Sequence, residues 1–253
     1  MNPFDLSGKK FVVTGASSGI GRQCCISCSQ MNAQIILIGR DTKRLQETKS
    51  QMVNPDYHAM YSVDINDTEI LEQTVNEIKD KIGSVDGIIH CAGISTTLPI
   101  KLVTNTKMEE FFKTNVFSAF HLTKLLLKPG GFNKIGGSII FMSSVMSVVG
   151  ESGKSLYSMT KGALLSGARS LAIELSRKKI RVNCISPGVV ISPMSANAIY
   201  SQDPEMLERV TNMHPLGLGN VTDVANGCVY LLSDASKWVT GTNLVIDGGY
   251  VAK

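Results

Sequence analysis

The chain has 253 residues, is 43% hydrophobic and 18% charged, and carries a formal net charge of +4. That length and apolar content suit one large α/β domain, and the mild charge with only 6% aromatic residues argues against a nucleic-acid surface. The opening MNPFDLSGKK lacks the apolar centre of a secretion signal and no apolar run is long enough to span a bilayer, so the expected setting is cytoplasmic, with the six cysteines as free thiols.

Short apolar strands alternate with amphipathic helices along the whole length. Strands are predicted over 10–14, 34–38, 58–62, 87–91, 137–143, 181–186 and 244–247. Several are continuous apolar runs, as expected where helices cover both faces of a sheet. Right-handed crossovers between them give a parallel sheet. No composition break, repeat or low-complexity linker divides the chain, so residues 1–253 are read as a single domain.

The first strand, Phe11-Val12-Val13-Thr14, runs into Gly15, Gly19 and Gly21, followed by a helical stretch over 22–31. This order suits a dinucleotide pyrophosphate: Gly15 for the tight turn, Gly19 for close approach of backbone to phosphate, Gly21 for close helix–strand packing. The helix N-terminus adds bare N–H groups and partial positive charge. Ser17, Ser18 and Ile20 belong to the same cofactor loop. Cys24, Cys25 and Cys28 read as small buried hydrophobes, because no second Cys pair or nearby His completes a metal site. No metal is expected.

The second strand ends in Gly39-Arg40-Asp41. A small residue and a guanidinium at that tip suit the 2′-phosphate of NADP, whereas an acid there would select NAD. Asp41 stands one residue further on, which leaves NAD as the alternative. Asp64, closing the third strand, is placed to accept from an adenine amino group with Ile65 beside the ring, or else to cap the next helix. Cys91, Ala92 and Gly93 close the fourth strand, where small residues let backbone approach a flat ring.

Tyr157 and Lys161 are four apart on a predicted helix and share one face. A Lys⁺ about 5 Å from a phenol at an effective dielectric of ~20 supplies ~3 kcal/mol, roughly two pKa units of acidification. The phenol can then exchange a proton with a substrate oxygen while a hydride moves at carbon. Ser144, at the end of an apolar strand, can donate to the developing oxyanion. Asn115 falls inside a helix predicted over 108–127, where it can loosen the helix and hold a water. Pro187-Gly188 marks a sharp turn, after which the Val190 backbone can meet a nicotinamide carboxamide and Ser192 a phosphate. The stretch over 193–214 mixes Met194, Ile199, Tyr200, Met206, Leu207 and Met213 with polar residues and reads as a mobile helical lid.

Together these residues resemble the short-chain dehydrogenase/reductase family, whose pattern covers nearly the whole chain. The matching pieces are Thr14-Gly15 with Gly19-Ile20-Gly21, Asp64, Ala92-Gly93, Asn115, Ser144, Tyr157 with Lys161, Pro187-Gly188 and Asp247-Gly248-Gly249. The resemblance implies a seven-stranded Rossmann sheet and a catalytic set of Asn115, Ser144, Tyr157 and Lys161. In it Tyr157 is the acid/base, Ser144 orients the carbonyl, Lys161 also holds the nicotinamide ribose, and Asn115 keeps a proton-relay water. It also implies a homotetramer or homodimer paired through the helices around Asn115 and Tyr157. His90-Cys91 replaces the family's Asn-Asn, and Ser192 its Thr. The tail PLG-x-GNVTDVAN is similar to that of 3-oxoacyl-[acyl-carrier-protein] reductases, which makes a 3-oxoacyl thioester one expected substrate and a keto-sugar or other small ketone the alternative. Arg177, Lys178 and Lys179 are a candidate patch for an acidic carrier protein, or equally basic residues favoured by a helix C-terminus. A serine-hydrolase reading of Gly15-Ala16-Ser17-Ser18-Gly19, with His214 as its late histidine, leaves Tyr157, Lys161 and Asn115 unexplained. So does a non-catalytic dinucleotide sensor.

Overall fold

The computed structural model describes residues 2–196 and 199–252. The first half contains β1 (Lys10–Thr14), α1 (Gly19–Gln30), β2 (Gln34–Gly39), α2 (Thr42–Ser50), β3 (Ala59–Ser62), α3 (Thr68–Lys81) and β4 (Gly87–His90). Then come α4 (Asn105–Phe112), a π-helical segment (Lys113–Phe117), α5 (Ser118–Leu126), β5 (Gly137–Met142), α6 (Ser155–Leu175) and β6 (Ile180–Pro187). The last part holds β7 (Val190–Ile191), α7 (Pro193–Ala196), α8 (Pro204–Asn212), β8 (Gly219–Asn220), α9 (Val221–Leu232) and β9 (Asn243–Ile246).

A seven-stranded Rossmann sheet runs β3-β2-β1-β4-β5-β6-β9, and every pairing is parallel. All seven predicted strands are present, with ends shifted by no more than a residue. The chain reverses its direction of travel across the sheet between β1 and β4, and a crevice opens there beyond the carboxyl ends of the strands. β7 and β8 form a separate parallel pair beside it.

Alternate strand residues feed two cores. Val12, Ile36, Ile88 and Ile139 pack with Leu71, Leu122 and Leu164 on one face. Val13, Leu37, Ile89 and Ile140 pack with Cys24, Cys28 and Val224 on the other. Burial on both faces explains the unbroken apolar runs, and each such side chain contributes roughly 1.5–3 kcal/mol. The cysteines are free thiols, and no metal-binding group of His, Cys, Asp and Glu is found among the described residues. No helix among them is long and apolar enough to cross a membrane.

One expectation changes. The predicted helix over 108–127 is not continuous: α4 and α5 are joined by the π-helical segment, with Asn115 inside it and only 1% exposed. Asn115 accepts from Ile94 N (2.8 Å) and donates to Ile94 O (3.0 Å) and Thr160 Oγ1 (3.0 Å). Widening the helix turns a polar side chain inward to satisfy these groups. The segment over 193–214 contains α7 and α8, and α8 buries none of its residues. The lid positions Asn197 and Ala198, and the side chains of Ile199 and Tyr200, lie outside the described residues.

Candidate active site

A cavity of ≈ 490 Å³ fills the crevice above β1 and β4. Gly15, Ser17, Ser18, Gly19, Ile20 and Gly21 form its floor near α1. Gly15 and Gly19 have φ of +66° and +53°. A Cβ on Gly21 would fall 2.3 Å from Gly15 O, so only glycine lets α1 approach the turn. A Cβ on Gly19 would meet only ordinary contacts, Ser192 Cβ and Pro193 Cδ at 3.8 Å. The first turn of α1 holds no acidic residue, and the Ser18 side chain makes no capping bond. This bare N-terminus over an open glycine fits a pyrophosphate.

Arg40 lines the cavity and is exposed beside Gly39. The Asp41 carboxylate is turned away, accepting from Arg44 N at 3.0 Å to cap α2. The acid that complicates the sequence reading is therefore spent on a helix. Asp64 does not cap α3, since Asp67 does, accepting from Ile70 N at 3.0 Å. Asp64 and Ile65 line the same end of the cavity.

The next stretch of wall comes from the end of β4. His90 is buried, stacked on Phe141 at 4.8 Å, and shares a hydrogen bond with Thr123 Oγ1 (2.9 Å). Burial lowers its pKa to about 3 and keeps the ring neutral. Cys91, Ala92 and Gly93 line the cavity. Contact with Cys24 and burial push the Cys91 thiol well above its ordinary range, so it is no nucleophile. A Cβ on Gly93 would press on Asn115 Oδ1 at 3.1 Å. Asn115 itself stands behind this wall and does not line the cavity.

Ser144, Tyr157 and Lys161 meet at the far wall. α6 buries a stripe of Leu156, Thr160, Leu164, Ala168 and Leu171; Lys161 is buried with it, and both Tyr157 and Lys161 border the cavity. Lys161 Nζ donates to Met142 O at 2.8 Å, and Ser143 Oγ donates to Lys161 O at 3.0 Å, so the end of β5 is stitched to α6. The Ser144 hydroxyl accepts from Met146 N at 3.2 Å and keeps its own proton for a ligand or for Tyr157. Burial pushes the Tyr157 phenol up to about 12, opposed by its hydrogen bond with Ser144. The acidification expected from Lys161 does not show in the protein alone, where burial dominates. Enclosure penalises the phenolate, and it also lowers the Lys161 ammonium to about 8.

Pro187, Gly188, Val190 and Ser192 complete the wall. His214 is buried and fastens it: Val189 N donates to Nε2 (3.1 Å), and Nδ1 bonds Val210 O (2.8 Å). Both ring nitrogens are engaged with backbone, so His214 has none free for a serine at Ser17, and the hydrolase reading lacks its base. Met146, Glu151, Lys154 and Tyr250 also line the cavity, and none of them falls in a motif singled out above. Of these only Lys154 leaves a signal, a cation three residues before Tyr157. Arg177, Lys178 and Lys179 are exposed beyond the other end of α6. A helix of 21 residues puts that patch about 30 Å from the phenol, away from the cavity.

The strand reversal, the glycine cradle and the Tyr157–Lys161 wall define a dinucleotide-dependent oxidoreductase. The chain belongs to the short-chain dehydrogenase/reductase family of NAD(P)-dependent enzymes. A family model described as enoyl-(acyl carrier protein) reductase matches residues 15–251. The chain is 30% identical over 249 residues to carbonyl reductase [NADPH] 2 of Sus scrofa, covering 98% of each protein. It is 30% identical over 250 residues to L-xylulose reductase of Mus musculus, again over 98% of each. Among solved structures it is similar to a putative short-chain alcohol dehydrogenase from Sinorhizobium meliloti 1021, with TM-score 0.91, 28% identity and 99% of both chains covered.

Proposed function

We propose that this protein uses NADPH to reduce a ketone to a secondary alcohol, with Tyr157 as the acid. The observation that carries the reading is the convergence of Tyr157, Ser144 and Lys161 on one wall of the cavity whose floor is the glycine cradle. When bound, the dihydronicotinamide supplies the hydride. Ser144 Oγ donates to the carbonyl oxygen and holds it beside the phenol. Tyr157 Oη then delivers its proton to that oxygen as negative charge develops there. A phenol raised to about 12 is protonated at neutral pH, the form that reduction needs. Lys161, beside the ring, would hold the nicotinamide ribose hydroxyls and keep the phenol supplied with protons. Asn115 holds the Ile94 backbone, and with it the Gly93 turn, against α6, and orders a relay water. α7 and α8, the described helices of the segment over 193–214, serve as the lid over the substrate.

Arg40 favours NADP over NAD, since its guanidinium makes no ion pair among the described residues at the tip of β2 while Asp41 is engaged. The NADPH in the name of the pig relative supports the same choice. Two substrate readings remain within ketone reduction. The PLG-x-GNVTDVAN tail favours a 3-oxoacyl thioester, and the L-xylulose reductase relative favours a keto-sugar or similar small ketone. The basic patch over 177–179 lies at the far end of α6 from the cavity, which weakens its reading as a seat for a carrier protein. The exposed Phe117, Phe120, Met159 and Ile173 suit pairing with further copies of the chain, as a homodimer or homotetramer.

The test is initial rates with NADPH and NADH on acetoacetyl thioesters, keto-sugars and simple ketones. The reading expects a ketone to be turned over and NADPH to be preferred by roughly tenfold or more, a preference lost in Arg40→Ala. Equal or better use of NADH would refute the role of Arg40. Absence of turnover on every ketone would refute the activity.

A further inference from the structure

The ketone-reductase reading leaves one cation in the cavity without a task. Lys154 is the residue preceding α6 and stands three positions before Tyr157, in the same cavity wall. It is half-buried, and its Nζ makes one long hydrogen bond, 3.4 Å to Thr96 O. Among the described residues no carboxylate lies within ion-pair distance of it. Burial lowers its pKa, and only the exposed Glu151 pulls in the other direction. An enclosed ammonium with spare donors and no carboxylate in contact is an incomplete ion pair. The helix end beside it is equally bare: the first turn of α6 has no acidic residue, and no side chain caps it.

We propose that Lys154 binds an anionic arm of the substrate, and that the ketone reduced at Tyr157 is an oxo acid. The inference rests on the reductase reading and narrows it. Lys154 offers a single positive charge, and the carboxylates of Glu110 and Glu151 also line the cavity, so a monoanion is repelled less there than a dianion, which favours a carboxylate over a phosphate monoester. The carboxylate is a handle and takes no part in the bond changes. Hydride from NADPH adds to the carbonyl carbon, Tyr157 supplies the proton to its oxygen, and the acid leaves as a hydroxy acid with the same charge. A neutral thioester or a sugar leaves the Lys154 charge unanswered, so the proposal ranks both below an oxo acid.

The experiment uses short straight-chain oxo acids, each paired with its methyl ester, and follows NADPH consumption with wild type, Lys154→Met and Lys154→Arg. For at least one pair, wild type is expected to favour the acid in kcat/KM by roughly tenfold or more. Lys154→Met should cut that acid-over-ester ratio roughly ten- to a hundredfold, mainly through KM for the acid. Lys154→Arg should keep the ratio within a few-fold. Wild type favouring the ester in every pair, or Lys154→Met losing equally on acid and ester, would overturn the proposal while leaving the ketone reductase standing. No turnover of any ketone by wild type would refute both.

Discussion

The Lys161 ammonium stands 5.5 Å from the centre of the Tyr157 ring while donating to Met142 O. The carbonyl at the end of β5 thus fixes the cation that the helix spacing brings beside the phenol. Enclosure acts on both groups, raising the phenol and lowering the ammonium.

The lowered Lys161 has a measurable consequence for stability. With a folded pKa of about 8 against 10.5 when exposed, its buried charge costs stability fully below pH 8. Above that the unfolded chain holds a proton that the folded chain has released, so folding becomes more favourable as pH rises. Between pH 8 and 10 the cofactor-free protein should gain about 2–3 kcal/mol relative to Lys161→Met, read from urea midpoints. Parallel pH profiles for the two proteins would contradict the burial of that charge.

His90 has the opposite titration window. Its folded pKa of about 3 lies below the ordinary 6.5, so the unfolded chain binds the proton first as pH falls. Stability should fall by about 1.4 kcal/mol per pH unit from pH 6.5 toward 3. His58, also lowered by burial, adds to the loss in the same direction. His90→Phe keeps the stack on Phe141 and should flatten its share of the slope. An unchanged acid limb in that variant would show that His90 is not the group responsible.

The two glycines of the cradle should separate folding from binding. Gly21→Ala drives a methyl into Gly15 O at 2.3 Å and should cost about 3 kcal/mol or more, or prevent folding. Gly19→Ala meets nothing nearer than 3.8 Å and bears only the strain of its positive φ, about 1–2 kcal/mol. It should remain folded yet lose NADPH affinity by roughly tenfold or more, because the methyl occupies the phosphate approach. Calorimetry of both variants with and without NADPH checks the pair. Full NADPH affinity in a folded Gly19→Ala protein would place the phosphates elsewhere.

Much of this was legible in the chain because local chemistry and global fold agree. Continuous apolar strands, the three glycines and the Tyr157–Lys161 spacing each require one arrangement, and the sheet supplies it. What was not legible depends on neighbours distant in sequence. The π-helical turn at Asn115 exists because Ile94 and Thr160 need partners, which no helix period encodes. Whether Asp41 faces a cofactor or caps α2 is decided by a rotamer. The sign of the Tyr157 shift turned on enclosure, which a pairwise estimate from helix spacing leaves out. Lys154, Glu151 and Tyr250 belong to the cavity only because 93–98, α6 and the C-terminal turn converge.

The central claim is most directly tested by measuring NADPH-dependent ketone turnover and NADPH binding together in Tyr157→Phe. The variant removes one oxygen from a wall whose other contacts are kept. The account predicts NADPH affinity within a few-fold of wild type and turnover reduced by roughly a hundredfold or more. Turnover close to that of wild type, in a protein that still binds NADPH, would contradict the assignment of the proton to Tyr157.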